Sequence, residues 1–209
     1  MKVVKGQSEG GILVGNTYDK YNTRNPIARY LVRGFSDALT SLVEESGKSE
    51  IHEVGCGEGY WTLKWQTEGK QARGSDFSSI AIGLARENAE ARGLTDRFMV
   101  EDIYRLSPDR DSAPLVVCCE VLEHLEWPDR ALEVLQSLAR PYLIVSVPRE
   151  PMWSAMNMAR GRYWSDWGNT PGHIQRWSRS DFLGLLSNYV EIVKVRSPLP
   201  WTMALCRVR

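Results

Sequence analysis

The sequence predicts an α/β fold, a mainly parallel sheet with helices on both faces, and three features carry that expectation. Short apolar runs alternate with amphipathic segments from Ser49 to Val147. The first run ends in a glycine-rich turn, Gly55-Cys56-Gly57-Glu58-Gly59, that leads straight into a helical pattern. The last two strand-like runs are joined by only Ser197-Pro198-Leu199-Pro200. Strand and helix in alternation build parallel sheets, whereas so short a link requires an antiparallel hairpin, because a parallel crossover needs a dozen or more residues.

The opening residues show no steady period until Pro26, which suits a first helical turn. After it Ile27, Leu31, Phe35, Leu39 and Leu42 recur at helical spacing. IHEV then reads as a strand, followed by a helix from Tyr60, the strand ARGSDF, the helix SSIAIGLARENAEARG and the strand RFMVED. LVVCCEV, the helix ALEVLQSLAR and the strand YLIVSV continue the alternation. It breaks after Val147, where about thirty residues rich in Trp, Met, Arg and Gly precede the helix SDFLGLLSNY. VEIVKVR and WTMALCRV are the closing hairpin. At 209 residues the expectation is one domain, residues 1–209, with 1–48 as an N-terminal cap segment and helix and 148–178 as an insertion.

Composition narrows the function classes. With 43% hydrophobic and 25% charged residues the chain is an ordinary globule, and 26 basic against 26 acidic residues leave no net field to draw nucleic acid or anionic membrane. No apolar run approaches the roughly 20 residues of a membrane span, and MKVVKGQSEGGILVG lacks a secretory signal's apolar core, so a cytoplasmic location is expected. Cys56, Cys118, Cys119 and Cys206 form no CxxC pair, which points to reduced thiols, mostly buried.

The chemistry concentrates at the carboxyl edge of the sheet. The glycine turn brings backbone amides to a ligand, although a tight strand-to-helix turn needs glycine for structural reasons too. Each of the first four strands ends in or near an acid: Glu53, Asp76, Asp102 and Glu120. Such a rim repels a pyrophosphate but suits a cationic cofactor carrying ribose hydroxyls and an adenine amine, such as S-adenosylmethionine. An NAD-linked oxidoreductase is opposed by the same rim and by the glycine spacing. Asp76 lies 17 residues beyond Gly59, near the separation at which an acid reaches ribose hydroxyls, and it also reads as a cap for the helix that follows.

EVGCGEG, GSDFS, VEDIY and CCEVLEHLEWPDRAL resemble, in order and spacing, the successive motifs of class I S-adenosylmethionine-dependent methyltransferases, especially the small-molecule group. The resemblance runs from Ile51 to Val147, with a weaker echo in GHIQRWSRSDF. It implies a Rossmann-like, seven-stranded sheet with an antiparallel last strand, and methyl transfer to a small-molecule acceptor, expected at oxygen. It further implies that Glu53 holds the methionine moiety, where the family more usually has aspartate, and that Gly55, Cys56, Gly57 and Gly59 wrap the cofactor. Asp76 would take the ribose with Phe77 beside the adenine, Asp102 and the Ile103 amide would meet the adenine edge, and Cys119 would line the pocket.

Glu120, Glu123 and His124 share one face if their segment turns helical. E-x-x-E-H, followed by His173-Ile-Gln-Arg-Trp177-Ser178-Arg-Ser-Asp-Phe182, resembles the divalent-cation site of 2′-O-methyltransferases that modify small-RNA 3′ ends, and its first part the ubiquinone-pathway O-methyltransferases. Two readings stay open. In one, Glu120, Glu123, His124 and His173 bind a divalent cation. In the other, Glu123, His124 and His173 serve without metal, as a proton acceptor or as loop organisers. An RNA acceptor is disfavoured by the neutral charge. The insertion, with Met152, Trp153, Met156, Met158, Tyr163, Trp164, Trp167 and Trp177, is read as a substrate lid in preference to a cap on the core. Arg149, Arg160, Arg162 and Arg176 offer cations to an anionic acceptor.

Overall fold

The computed structural model describes residues 1–4, 6–9, 12–15 and 20–208. Strands β1 (Ser8–Glu9) and β2 (Ile12–Leu13) pair as a small antiparallel hairpin in the opening segment, where the sequence shows no element. Strands of two residues are too short to display a period. Helix α1 (Pro26–Ser46) starts where Pro26 predicts it: the Asn25 side chain accepts hydrogen bonds from the Ile27 and Ala28 amides.

The alternation then unfolds as β3 (Glu50–Val54), α2 (Tyr60–Thr67), β4 (Gln71–Asp76), α3 (Ser79–Glu90), β5 (Phe98–Val100), α4 (Pro108–Asp111), β6 (Ala113–Cys119), α5 (Pro128–Leu138) and β7 (Ala139–Pro148). Strand β7 begins directly where α5 stops, earlier than the apolar run YLIVSV suggests. The insertion contains helix α6 (Met152–Ala159) and a short turn, Trp164–Asp166. In α6 the buried face carries the polar Ser154 and Asn157 while most other positions are Met, Trp or Ala, so the helix inverts the apolar-in pattern that marks a helix in sequence. Helix α7 (Arg179–Ser187), β8 (Glu191–Arg196) and β9 (Trp201–Arg207) close the chain.

The seven-stranded sheet has the order β5-β4-β3-β6-β7-β9-β8. Strands β3 to β7 pair in parallel, and β9 runs antiparallel to both β7 and β8, as its short link to β8 requires. One face is covered by α1 and α2, where Phe35, Leu39 and Leu42 pack with Trp61, Trp65, Ile51 and Leu205. The other is covered by α5 and α7, where Leu132, Leu135, Phe182 and Leu186 pack on Val116, Val145 and Ala204. Each such buried side chain stabilises the sandwich by about 1.5 to 3 kcal/mol. The strand order reverses between β3 and β6, and the crevice at their carboxyl ends is where ligands bind in sheets of this kind.

His52, fully buried in β3, is a core residue. Its ring nitrogens meet Asp111 O at 2.8 Å and Ser75 Oγ at 2.9 Å, and burial lowers its pKa to about 4. All four cysteines are free thiols, Cys119 half-buried and the others buried.

Candidate active site

The loop after β3 is pinned to the end of β4, because the Gly55 and Cys56 amides both donate to Ser75 O, at 2.7 and 3.0 Å. Gly55 and Gly57 have φ of 78° and 52°, a region that disfavours side chains. A Cβ on Gly55 would lie 2.2 Å from the Val121 side chain, so this glycine lets the loop pack on the segment after β6. A Cβ on Gly57 would meet nothing within 4 Å and would project into open space above the loop. Gly59 closes the turn as the residue before α2. The Cys56 side chain is buried in the core with Leu63, Ile82 and Phe98, so only its backbone is available to a ligand.

Glu53 is 7% exposed, and one of its oxygens accepts from the Thr62 amide at 2.9 Å and the Thr62 hydroxyl at 2.5 Å. Burial outweighs these bonds and pushes its pKa to about 8. A buried carboxyl of this kind gains most from a cation beside it. Asp76 accepts from the Gly57 amide at 2.9 Å and the Ser78 amide at 3.0 Å, and burial raises its pKa. The cap of α3 is Ser78, whose side chain accepts from the Ala81 amide, so the capping role that Asp76 could have filled falls two residues later. Phe77 stands 42% exposed beside Asp76. Asp102 accepts from the Tyr104 amide and opens the turn Ile103–Arg105, while the Ile103 side chain is buried. Cys119 is half-buried at the end of β6, and burial pushes its thiol pKa up.

The segment after β6 departs from the single helical face that the i, i+3, i+4 spacing suggests. Glu120 adopts φ 60° and only Leu122–His124 forms a tight turn, so Glu120 is directed elsewhere. Its carboxylate accepts from Ser146 Oγ at 2.9 Å and Trp201 Nε1 at 2.5 Å, with its pKa pushed to about 7 by burial. Glu123, His124 and His173 do come together: one ligand atom from each lies within 4.8 Å of the others. Backbone pairing closes the 49-residue separation between the histidines, with the Ile174 and Gln175 amides donating to Glu123 O at 2.8 and 2.9 Å. His124 Nδ1 donates to Gly172 O at 2.9 Å, which leaves Nε2 as the ring's acceptor. The two imidazole rings stand edge to face at 4.9 Å, and burial lowers the pKa of both, His173 to about 4. Glu123 is 2% exposed, and among the described residues neither of its carboxyl oxygens has a hydrogen-bond partner. Burial first and Glu120 second drive its pKa well up.

An aromatic train borders this cluster. Trp153 stacks on His173 at 5.8 Å and meets Trp201 at the same separation. The insertion braces itself through Trp153 Nε1 donating to Thr170 Oγ1 and Asn157 Nδ2 donating to Gly168 O, each at 2.8 Å. Arg176 pairs with Glu150 at 3.5 Å and Arg160 with Asn157, so these two arginines serve the insertion itself. Trp164 and Trp167 are 63% and 76% exposed.

Sequence reasoning misses Thr62, Ser146, Trp201, Lys20 and Tyr21. Lys20, whose ammonium sits 5.3 Å from the Tyr21 ring centre, draws Glu53, Glu120 and Glu123 toward ionisation against the effect of burial. Trp201 directly follows the Pro200 that ends the hairpin link, which was its one legible signal.

Residues 51–142 match the protein family described as "Methyltransferase domain". The ubiquinone biosynthesis O-methyltransferase of Methylococcus capsulatus is 29% identical over 172 residues, covering 72% of this chain and 68% of that protein. That of Coxiella burnetii is 30% identical over 91 residues, and there the chain spans only 39% of the relative's length. Among solved structures, magnesium protoporphyrin IX methyltransferase from Synechocystis PCC 6803 with bound SAH has the same fold, with TM-score 0.68, 20% identity and 91% of each chain covered. A protein from Pyrococcus horikoshii OT3 superposes with TM-score 0.72 at 15% identity, over 92% of this chain and 96% of that one.

Proposed function

We propose that the chain, whose residues 51–142 match the family described as "Methyltransferase domain" and whose fold is Rossmann-like, transfers a methyl group from S-adenosylmethionine to the hydroxyl of a small-molecule acceptor. The observation that carries the reading is the open space above Gly57, whose amide donates to the half-buried Asp76 carboxylate, with the buried Glu53 carboxyl at the end of β3 that leads into the same loop. These residues fit the cofactor: Glu53 answers its positive methionine end, Asp76 its ribose hydroxyls, and Phe77, Asp102 and the Ile103 amide its adenine. The sulfonium supplies an activated methyl group. The protein's part is to hold donor and acceptor in line, exclude water and accept the acceptor's proton.

His124 Nε2 and His173 would accept that proton, beside Glu123, whose carboxyl oxygens have no hydrogen-bond partner among the described residues. Glu123, His124 and His173 also fit a divalent cation, being one carboxylate and two imidazoles whose ligand atoms already cluster. Such an ion would lower the pKa of the acceptor hydroxyl. Glu120, tied to Ser146 and Trp201, would have to leave both partners to join as a fourth ligand. The insertion from residue 148 to 178 is read as the lid, because Trp153 brings its indole against His173. The ubiquinone-pathway names of the relatives favour a small hydroxylated acceptor over RNA.

The test measures S-adenosylhomocysteine release with a panel of hydroxylated aromatic acceptors and a short RNA, alongside thermal protection by S-adenosylhomocysteine and by NAD. Turnover on a small acceptor with protection by S-adenosylhomocysteine alone is expected. Protection by NAD alone would overturn methyl transfer, and turnover on RNA alone would overturn the acceptor class. Calorimetric titration with Mn²⁺, in wild type and His173→Ala, reads the cation directly. Binding lost in the variant is expected, and full activity of metal-stripped wild type would end the cation reading.

A further inference from the structure

Four arginines after β7 offer charge to an anionic acceptor, and the fold sets one of them apart. Arg176 pairs with Glu150 at 3.5 Å and Arg160 with the Asn157 side chain, so each has a partner in the insertion. Arg162 stands exposed beyond the end of α6. Arg149 is half-buried, its Nε is buried with no hydrogen-bond partner among the described residues, and its Nη2 meets Met152 Sδ at 3.2 Å. A thioether is a weak acceptor and carries no charge. The acid next in the chain is engaged elsewhere: Glu150 accepts from Ser154 Oγ at 2.7 Å and from the Ser154 amide at 3.2 Å, and it pairs with Arg176.

The backbone brings Arg149 to the border of the histidine cluster. It directly follows β7, at the carboxyl edge of the sheet. Its amide donates to Pro200 O at 2.8 Å and its carbonyl accepts from the Trp153 amide at 2.9 Å, which sets it between Trp201, the residue after Pro200, and Trp153, whose indole stacks on His173. A buried donor without an acceptor destabilises a fold, and one on a charged group does so more. Such a group is accounted for when a ligand supplies the acceptor. The planar fork of arginine matches the two oxygens of a carboxylate, and one carboxylate balances its single charge.

We propose that Arg149 binds a carboxylate on the methyl acceptor, so that the substrate is a hydroxylated carboxylic acid and Arg149 a specificity-determining residue. This rests on the methyl-transfer reading above. The guanidinium fixes the acceptor's anionic end, the indoles of Trp153 and Trp201 flank its apolar body, and its hydroxyl is turned toward the histidines.

The experiment titrates caffeate and dihydroxybenzoate, each against its methyl ester, into the S-adenosylhomocysteine complex of wild type, Arg149→Met and Arg149→Lys by calorimetry, with melting temperatures recorded in parallel. Wild type should bind the acids about 10-fold or more tighter than the esters, the size of one charge-assisted hydrogen bond. Arg149→Met, which keeps the length without the charge, should lose that preference, and Arg149→Lys, which keeps the charge without the fork, should retain part of it. Affinity for S-adenosylhomocysteine should match wild type in both. Arg149→Met should also melt at or above the wild-type temperature, because it removes a buried donor that lacks an acceptor, and a clear fall would overturn the premise of an unpartnered guanidinium. Wild type that binds the esters as tightly as the acids, or binds neither, overturns the carboxylate site and leaves methyl transfer intact. Acid preference kept in Arg149→Met overturns the assignment to Arg149, and Arg149→Gln supplies the uncharged variant on the same terms if Arg149→Met fails to fold. Wild type that binds no S-adenosylhomocysteine overturns the methyl-transfer reading and this inference with it.

Discussion

Replacing Glu53 by Gln separates the cost of a buried acid from its use. In the folded chain the carboxyl titrates at about 8 because burial penalises its charge, whereas the unfolded chain has it near 4.5. The folded pKa is the higher one, so the stabilising contribution of the protonated acid is present below pH 4.5 and is lost as pH rises toward 8. Between pH 5.5 and 8 the loss amounts to roughly 3 kcal/mol, as an upper limit. Gln keeps an acceptor for the Thr62 amide and hydroxyl but does not ionise. Urea unfolding of apo Glu53→Gln relative to wild type should therefore shift in the variant's favour by up to about 3 kcal/mol between pH 5.5 and pH 8. Calorimetry should show S-adenosylmethionine binding weakened by about 10-fold or more in the same variant, since the carboxylate proposed to meet its positive end is gone. A stability difference independent of pH, or unaltered affinity, would refute the assignment of Glu53 as a buried acid held for a cationic ligand.

Asp76→Ala should weaken S-adenosylhomocysteine binding by about 1.5 to 3 kcal/mol, read by calorimetry, because in the proposed reading the carboxylate takes the ribose hydroxyls, and it accepts from the Gly57 amide. His52 predicts an acid-side instability. Its pKa is about 4 folded against 6.5 free, so the unfolded state takes up the proton first and about 3 kcal/mol of stability is lost as pH falls through that window. His52→Gln should flatten this slope in urea unfolding between pH 7 and 4, and an unchanged slope would show that other groups set it. Protease cutting between residues 148 and 173 should slow when product and acceptor are both bound, and equal rates would favour a permanently packed cap.

The sheet was legible because its signals are local. Apolar runs, the glycine turn and the Ser197–Pro200 link each constrain their own neighbourhood, and β9 had to reverse once four residues joined it to β8. The acids at the strand ends were legible for the same reason, since strand direction alone carries Glu53, Asp76 and Asp102 to one edge. Glu120 was misdirected because a left-handed φ at a glutamate has no sequence mark, and its partners Ser146 and Trp201 come from strands far along the chain. The meeting of His173 with His124 rests on backbone pairing to Glu123 O, which side-chain pattern does not encode. The opening hairpin and α6 escaped because one is too short to show a period and the other buries its polar Ser154 and Asn157 instead of an apolar stripe.

The most direct test titrates S-adenosylhomocysteine calorimetrically into wild type, Gly57→Val and Gly47→Val. Both glycines have positive φ, 52° and 65°, and an added Cβ meets no atom within 4 Å at either, so the two variants carry like backbone strain. Gly47 lies at the far end of α1 and Gly57 above the proposed pocket. Wild type and Gly47→Val should bind alike and Gly57→Val should show no binding heat. Absence of binding by wild type, or equal affinity in Gly57→Val, would contradict the placement of the methyl donor over this loop.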